Sequence, residues 1–125
     1  MIIPTLRYKD AKGAIDFLER AFGLERKAVF ENEDGTVGHA ELTFGRGMVM
    51  LGSSGVGDKQ FETAHSSIYM IVPDPDALHE RATAAGAEIT RELQDTDYGS
   101  REFSAQDPEG NAWSFGTYDP FASGN

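Results

Sequence analysis

"SIYMIVPDPDALHERATAAGAE", residues 67–88, opens with a short apolar strand, passes Asp74 and continues as a helical pattern. Asp74 suits the position just before a helix, because its carboxylate can accept from the free backbone N–H groups of the first turn. Gly86 suits the left-handed residue that ends a helix. Between them Leu78, Ala82 and Ala85 recur at helical spacing and form a weak apolar face. The same grammar occurs about sixty residues earlier, in "TLRYKDAKGAIDFLERAFGLE", residues 5–25. There Asp10 stands before the helix, Gly23 after it, and Ile15, Leu18 and Phe22 form a stronger core-facing stripe.

The halves that follow also match. "GHAELTFGRGMVMLGSS" places Gly38, Glu41 and Leu42 where "GSREFSAQDPEGNAWSFGTY" places Gly99, Glu102 and Phe103. "MVMLGS" aligns with "AWSFGT", and "GRG" and "QDPEGN" are two lengths of one hairpin connection. Asp, Pro and Gly in the longer one are turn formers. Each copy therefore reads strand–helix–strand–strand–strand. Strands are expected near 2–8, 27–32, 37–44 and 47–53, and again near 66–72, 87–92, 100–106 and 111–118. A single copy would leave one sheet face bare, whereas two copies can curl that face into a cup. The expected fold is α+β: two βαβββ modules forming a curled mixed sheet, a cup, with the helices outside. The whole chain, 1–125, reads as a single domain, with modules at 1–55 and 66–120. The polar, glycine-bearing stretch at 56–65 is a linker.

Composition narrows the partners. With 11 Lys and Arg against 21 Asp and Glu, the net charge is −10. That opposes nucleic acid, whose phosphates are read by clustered cations, and it opposes anionic membranes. It is compatible with a cationic ligand. No apolar run approaches the ~20 residues of a membrane span. The N-terminal stretch lacks the pattern of a secretory leader, so a cytoplasmic location is expected. There is no cysteine, hence no disulfide and no thiolate chemistry. "GSSGVG", residues 52–57, is glycine-rich but lacks the Lys and following helix of a phosphate loop. No nucleophile elbow surrounds Ser67 or Ser114.

The paired modules, "VPDPDAL…AAGAE" and the closing "YGSREF…DPEGNAWSF" resemble the glyoxalase/bleomycin-resistance/dioxygenase superfamily, the vicinal oxygen chelate fold. The closing Asp-Pro-x-Gly-x-x-Trp pattern is most similar to its PhnB-like branch. The resemblance spans Ile2 to Tyr118 and specifies fold better than activity. The superfamily includes metal-dependent lyases, extradiol dioxygenases, thiol transferases and metal-free proteins that sequester antibiotics. The resemblance implies metal-ligand places at Ile3, Met50, Ser67 and Ser114. Ser114 stands where a catalytic Glu would be expected, seven residues after Asp107. A divalent catalytic ion needs about three good protein ligands. An alkyl group, a thioether and two neutral hydroxyls do not supply them. No metal and no cofactor are therefore expected.

Strand alternation extends this reading. If Ser114 faces the cup, Trp113 and Phe115 are core, Met48 and Met50 face in, and Val49 and Leu51 are core. Leu42 and Phe44 belong to the core, so His39, Glu41 and Thr43 face in, as do Ser100, Glu102 and Ser104. On the opening strands Ile3, Thr5 and Arg7, then Ser67, Tyr69 and Ile71, face the cup. The expected ligand-binding set is Arg7, His39, Glu41, Met48, Met50, Ser67, Tyr69, Glu102 and Ser114, with Ile71 adding to the wall. Arg7 could pair with Glu41 or Glu102. His65 could reach inward by fraying of its strand, His79 belongs to a helix surface, and Arg101 faces away to an acidic partner. The expected function is metal-free binding of a small molecule, a cationic or aromatic compound such as an antibiotic, by a homodimer. The alternative is a metal-dependent lyase or dioxygenase built on a displaced set, His39, Glu41 and Glu102.

Overall fold

The computed structural model describes residues 1–57, 59–62 and 64–122. Positions 58 and 63, within the expected linker, and 123–125, at the end of the expected domain, lie outside the described residues. The first module comprises β1 (Thr5–Tyr8), α1 (Ala11–Phe22), β2 (Glu25–Glu31), β3 (Val37–Phe44) and β4 (Gly47–Ser53). The second comprises β5 (Ser67–Ile71), α2 (Pro75–Ala84), β6 (Glu88–Asp95), β7 (Arg101–Gln106) and β8 (Ala112–Gly116). A 3-10 turn, Lys59–Phe61, lies between them.

Both helices begin where the repeat places them. Asp10 accepts from the Gly13 N–H at 3.0 Å, and Asp74 accepts from the Ala77 N–H at 3.1 Å. Gly23 closes α1 in the left-handed region, at φ 77°. α2 is capped by Ala85 in an ordinary conformation, and the left-handed residue is Gly86, one place later. The Arg81 guanidinium donates to the Glu19 and Arg20 carbonyls, both at 2.9 Å, so α2 sets a cation at the negative end of α1. α1 buries Ile15, Leu18 and Phe22, but α2 fully buries only Pro75 and Ala82, in keeping with its weaker stripe.

The eight strands form two four-stranded sheets, ordered β1-β4-β3-β2 and β5-β8-β7-β6. β1 runs parallel to β4 and β5 parallel to β8, while the other pairs are antiparallel. The architecture is the expected α+β pair of βαβββ modules. No strand ladder joins the two sheets among the described residues, so the mixed sheet is split and the cup is not closed. What joins the modules is a common core. Phe22 of α1 lies 5.4 Å from the Trp113 ring and 4.8 Å from Phe115, both on the second sheet. Leu6, Tyr8, Leu42, Leu51, Phe103 and Trp113 are all within the same buried cluster.

The expected parity holds for Val49, Leu51, Leu42, Trp113 and Phe115, all buried; Phe44 is only half-buried against them. β1 starts at Thr5 rather than residue 2, so Ile3 precedes the strand. β2 starts two residues early and β6 runs three residues late. A bulge explains one further departure: Phe30 opposes His39 but Glu31 opposes Val37, leaving Gly38 extra. The inserted residue turns Val37 onto the core side, where it is fully buried.

Candidate functional site

Each sheet presents one face to the helices and the other outward, and the outward faces collect the polar positions. On the first sheet, His39 Nε2 lies 3.0 Å from Glu41 Oε2, and Lys27 Nζ donates to Glu41 Oε1 at 3.4 Å. These contacts, His39 first, hold the Glu41 carboxyl below its ordinary range. Phe30 stacks on the His39 ring, with centroids 6.2 Å apart. Met50 is half-buried between its neighbours Thr5 and Glu41. Ser67 is exposed at the start of β5.

Arg7 does not pair with Glu41 or Glu102. The 3-10 turn carries Phe61 to 5.3 Å from the Arg7 guanidinium, and Glu62 lies 3.9 Å from Arg7 Nε. Glu62 is itself fixed by the Ser54 hydroxyl at 2.5 Å and the Gly55 N–H at 3.0 Å. Arg7 therefore anchors the segment between the modules. Directly opposite Arg7 in the ladder is Gly52; a Cβ there would sit 3.1 Å from Arg7 Nη1.

The second sheet repeats that device. Gly116 aligns with Gly52, and a Cβ on it would run into the Tyr69 hydroxyl and would meet Glu102 Cγ at 2.7 Å. The missing side chain makes room for a compact polar cluster. Glu102 is 3% exposed. Its Oε1 accepts from Arg91 Nη2 at 2.9 Å and the Tyr98 hydroxyl at 2.7 Å, and its Oε2 accepts from the Tyr69 hydroxyl at 3.1 Å. Burial pushes this carboxyl up, but donors from Tyr98, Ser100, Arg91 and Tyr69 outweigh it, and the group stays below its ordinary range. Burial and the adjacent Glu102 charge push the Tyr69 phenol up. Ser114 and Ser104 meet hydroxyl to hydroxyl at 2.8 Å.

Of the expected ligand-binding residues, Met48 and Tyr69 come together in one groove of about 510 Å3, with Ile71. It runs between the β3–β4 hairpin, β5 and segments near both termini; Ile2, Ile68 and Phe121 add to its apolar lining, and Arg46 and Asp119 are its charged members. The displaced set is not brought together: His39 and Glu41 pair with one another, while Glu102 is engaged by Arg91, Tyr98 and Tyr69. Among the described residues, no three His, Asp or Glu side chains gather as metal ligands do. At the places implied by resemblance, Ile3 and Met50 offer no hard donor and the Ser114 hydroxyl is engaged by Ser104. These residues do not fit a divalent ion.

Three other histidine and arginine expectations resolve simply. His65 lies against Gly110 at a turn, not inward. His79 packs edge-on to Phe103 and pairs with Glu92. Arg101 turns to the helix side and binds Asp76 at 2.9 Å. Sequence reasoning missed Arg91, Tyr98, Phe61 and the two facing glycines. The glycines carry a usable signal, because they fall at one place in the repeat.

The fold has counterparts among known proteins. The family described as the Glyoxalase/Bleomycin resistance protein/Dioxygenase superfamily matches residues 3–115. The uncharacterized protein Rv0887c of Mycobacterium tuberculosis is 32% identical over 121 residues, covering 90% of this chain and 71% of its own. The crystal structure of TioX from Micromonospora sp. ML1 superposes with TM-score 0.75 at 33% identity, covering 92% of this chain and 95% of that one. A glyoxalase I mutant from Zea mays superposes with TM-score 0.73 at 24% identity, covering 94% of this chain and 45% of the maize chain, and so shares the fold. This chain belongs to the glyoxalase/bleomycin resistance protein/dioxygenase superfamily.

Proposed function

We propose that this protein binds a small aromatic or cationic compound without a metal, as a cytoplasmic homodimer, in the manner of the drug-sequestering and PhnB-like members it resembles. The observation that carries the reading is the groove between the modules. At about 510 Å3 it is within the range of small-molecule sites, and its walls are mostly alkyl, thioether and aromatic, with Arg46 and Asp119 as charged members. Tyr69 and Ile71 are each 41% exposed there, an apolar surface with nothing from this chain to cover it among the described residues. Thioethers and aromatic rings adapt to planar ligands. The exposed Ile2 and Phe121 beside them extend the patch and supply the seam for a second copy. The net charge of −10 favours a cation over an anion at long range.

The test is a thermal-shift and calorimetric screen of cationic glycopeptides and aromatic drugs. A binder of the native state raises the melting temperature with concentration. A screen with neither thermal shift nor heat of binding would overturn the reading. So would stoichiometric metal in protein purified without a polyhistidine tag, lost on replacing His39, because that outcome restores the enzyme alternative.

A further inference from the structure

We infer that the row Arg91–Ser104–Ser114–Tyr69, on the outward face of the second sheet, is a subsite for a carboxylate borne by an aromatic ligand; this rests on the small-molecule reading above. The four residues share one line across four strands. Tyr69 is opposite Ser114, Ser114 opposite Ser104, and Ser104 opposite Arg91. At the usual strand separation the row spans about 14 Å.

Its donors are underused. Arg91 makes one hydrogen bond, from Nη2 to Glu102, and its other N–H groups meet no acceptor among the described residues. Its side chain is 46% exposed, so those groups are accessible. The Glu102 charge is shared among Arg91, Tyr98 and Tyr69, so the guanidinium is aimed without being fully engaged. Ser104 and Ser114 bond only to each other, and one hydroxyl proton of the pair is left to give. The row itself contains no carboxylate. Glu92, on the same strand as Arg91, is drawn away to His79.

A guanidinium fork beside a hydroxyl matches the two oxygens of a carboxylate. Tyr69 ends the row and also lines the groove. A ligand with its carboxylate near Arg91 and Ser104 would thus direct its ring toward Tyr69 and the apolar wall. Since the acidic surface favours cations at long range, a zwitterionic aromatic compound satisfies both features.

The test is a titration with 2-naphthoate and its neutral analogue 2-naphthamide, followed by nitrogen-15 NMR of the whole chain. The naphthoate should shift the Arg91 Nε–H signal and the Ser104 and Ser114 amides, and should bind about tenfold more tightly than the amide. Arg91→Lys keeps a cation for Glu102 but loses the fork, and Ser104→Ala removes one donor; each should erase much of that preference by weakening the naphthoate more than the amide. Equal binding of both probes, indifferent to these variants, overturns the subsite and leaves the small-molecule reading standing. Absence of naphthoate binding also overturns the subsite; the broader reading fails only if the drug screen is blank as well.

Discussion

The Tyr8 hydroxyl donates to Asp107 at 2.6 Å across 99 residues of sequence, tying the first strand of one module to the closing turn of the other. Asp107 also accepts from Trp113 Nε1 at 3.1 Å and Asn111 Nδ2 at 3.0 Å. Beside it Glu109 accepts the Lys9 and Asp10 N–H groups at 2.6 and 2.8 Å. The turn "DPEGN" is therefore a clamp between modules as well as a hairpin.

Removing the Tyr8 hydroxyl with Tyr8→Phe should cost about 1–3 kcal/mol, since it deprives a buried carboxylate of a donor. Asp107→Ala should cost more, because it strands Tyr8, Asn111 and Trp113 together. Urea unfolding measures both. Burial, followed by the charge of Asp107, pushes the Tyr8 phenol above its ordinary 10.0. The folded state thus favours the neutral phenol, and that stability is present below pH 10 and declines as pH rises above it. Tyr8→Phe should flatten the alkaline decline; an unchanged slope would count against the clamp.

Glu102 titrates the other way. Its folded carboxyl is held below the ordinary 4.5, so its contribution is present above that pH and is lost as pH falls through the lower folded value. Glu102→Gln should destabilise the protein by roughly 1–3 kcal/mol at neutral pH and weaken the acid dependence. Denaturation curves between neutral pH and pH 3 would show whether the two effects travel together.

Gly116→Ala tests the space beneath the cluster. The new methyl would overlap Glu102 Cγ and the Tyr69 hydroxyl, forcing both to move. Overpacking of this kind costs about 1–3 kcal/mol. The same change should lower the Tyr69 pKa toward its free value by separating it from Glu102, readable by ultraviolet titration against a Tyr69→Phe control. A stable variant with an unaltered titration would contradict the geometry.

Ile71→Glu places a charge on the exposed apolar wall. If a second copy covers that wall, sedimentation should show a dimer for the parent protein and a monomer for the variant, with the fold retained by circular dichroism. A monomeric parent protein would remove the homodimer from the proposed function.

Much of the fold was legible because local chemistry and burial agreed. Asp10, Asp74 and Gly23 act where the repeat placed them, and the alternation through "NAWSFG" predicted which side of β8 is core. In β3 a bulge at Gly38 broke the alternation, setting Val37 on the core side out of step with Ala40 and Leu42 beyond it. Within the candidate site, facing direction was legible for Met48, Tyr69, Glu102 and Ser114. Partnership was not: Arg7 found Glu62 on the connecting segment, and Glu102 found Arg91 across a strand pair interrupted by register shifts.

The sequence by itself determined the repeated βαβββ grammar, the helix ends and the lack of hard donors at the four positions that the family resemblance singles out. These follow from periodicity, caps and donor type, all local properties. Only the tertiary structure decided that the two sheets join through a shared core instead of a strand ladder, that Asp107 clamps them, and that glycines stand beneath Arg7 and Tyr69. Those outcomes depend on which distant side chains fill one another's space and satisfy one another's buried polar atoms, and spacing along a chain does not encode that.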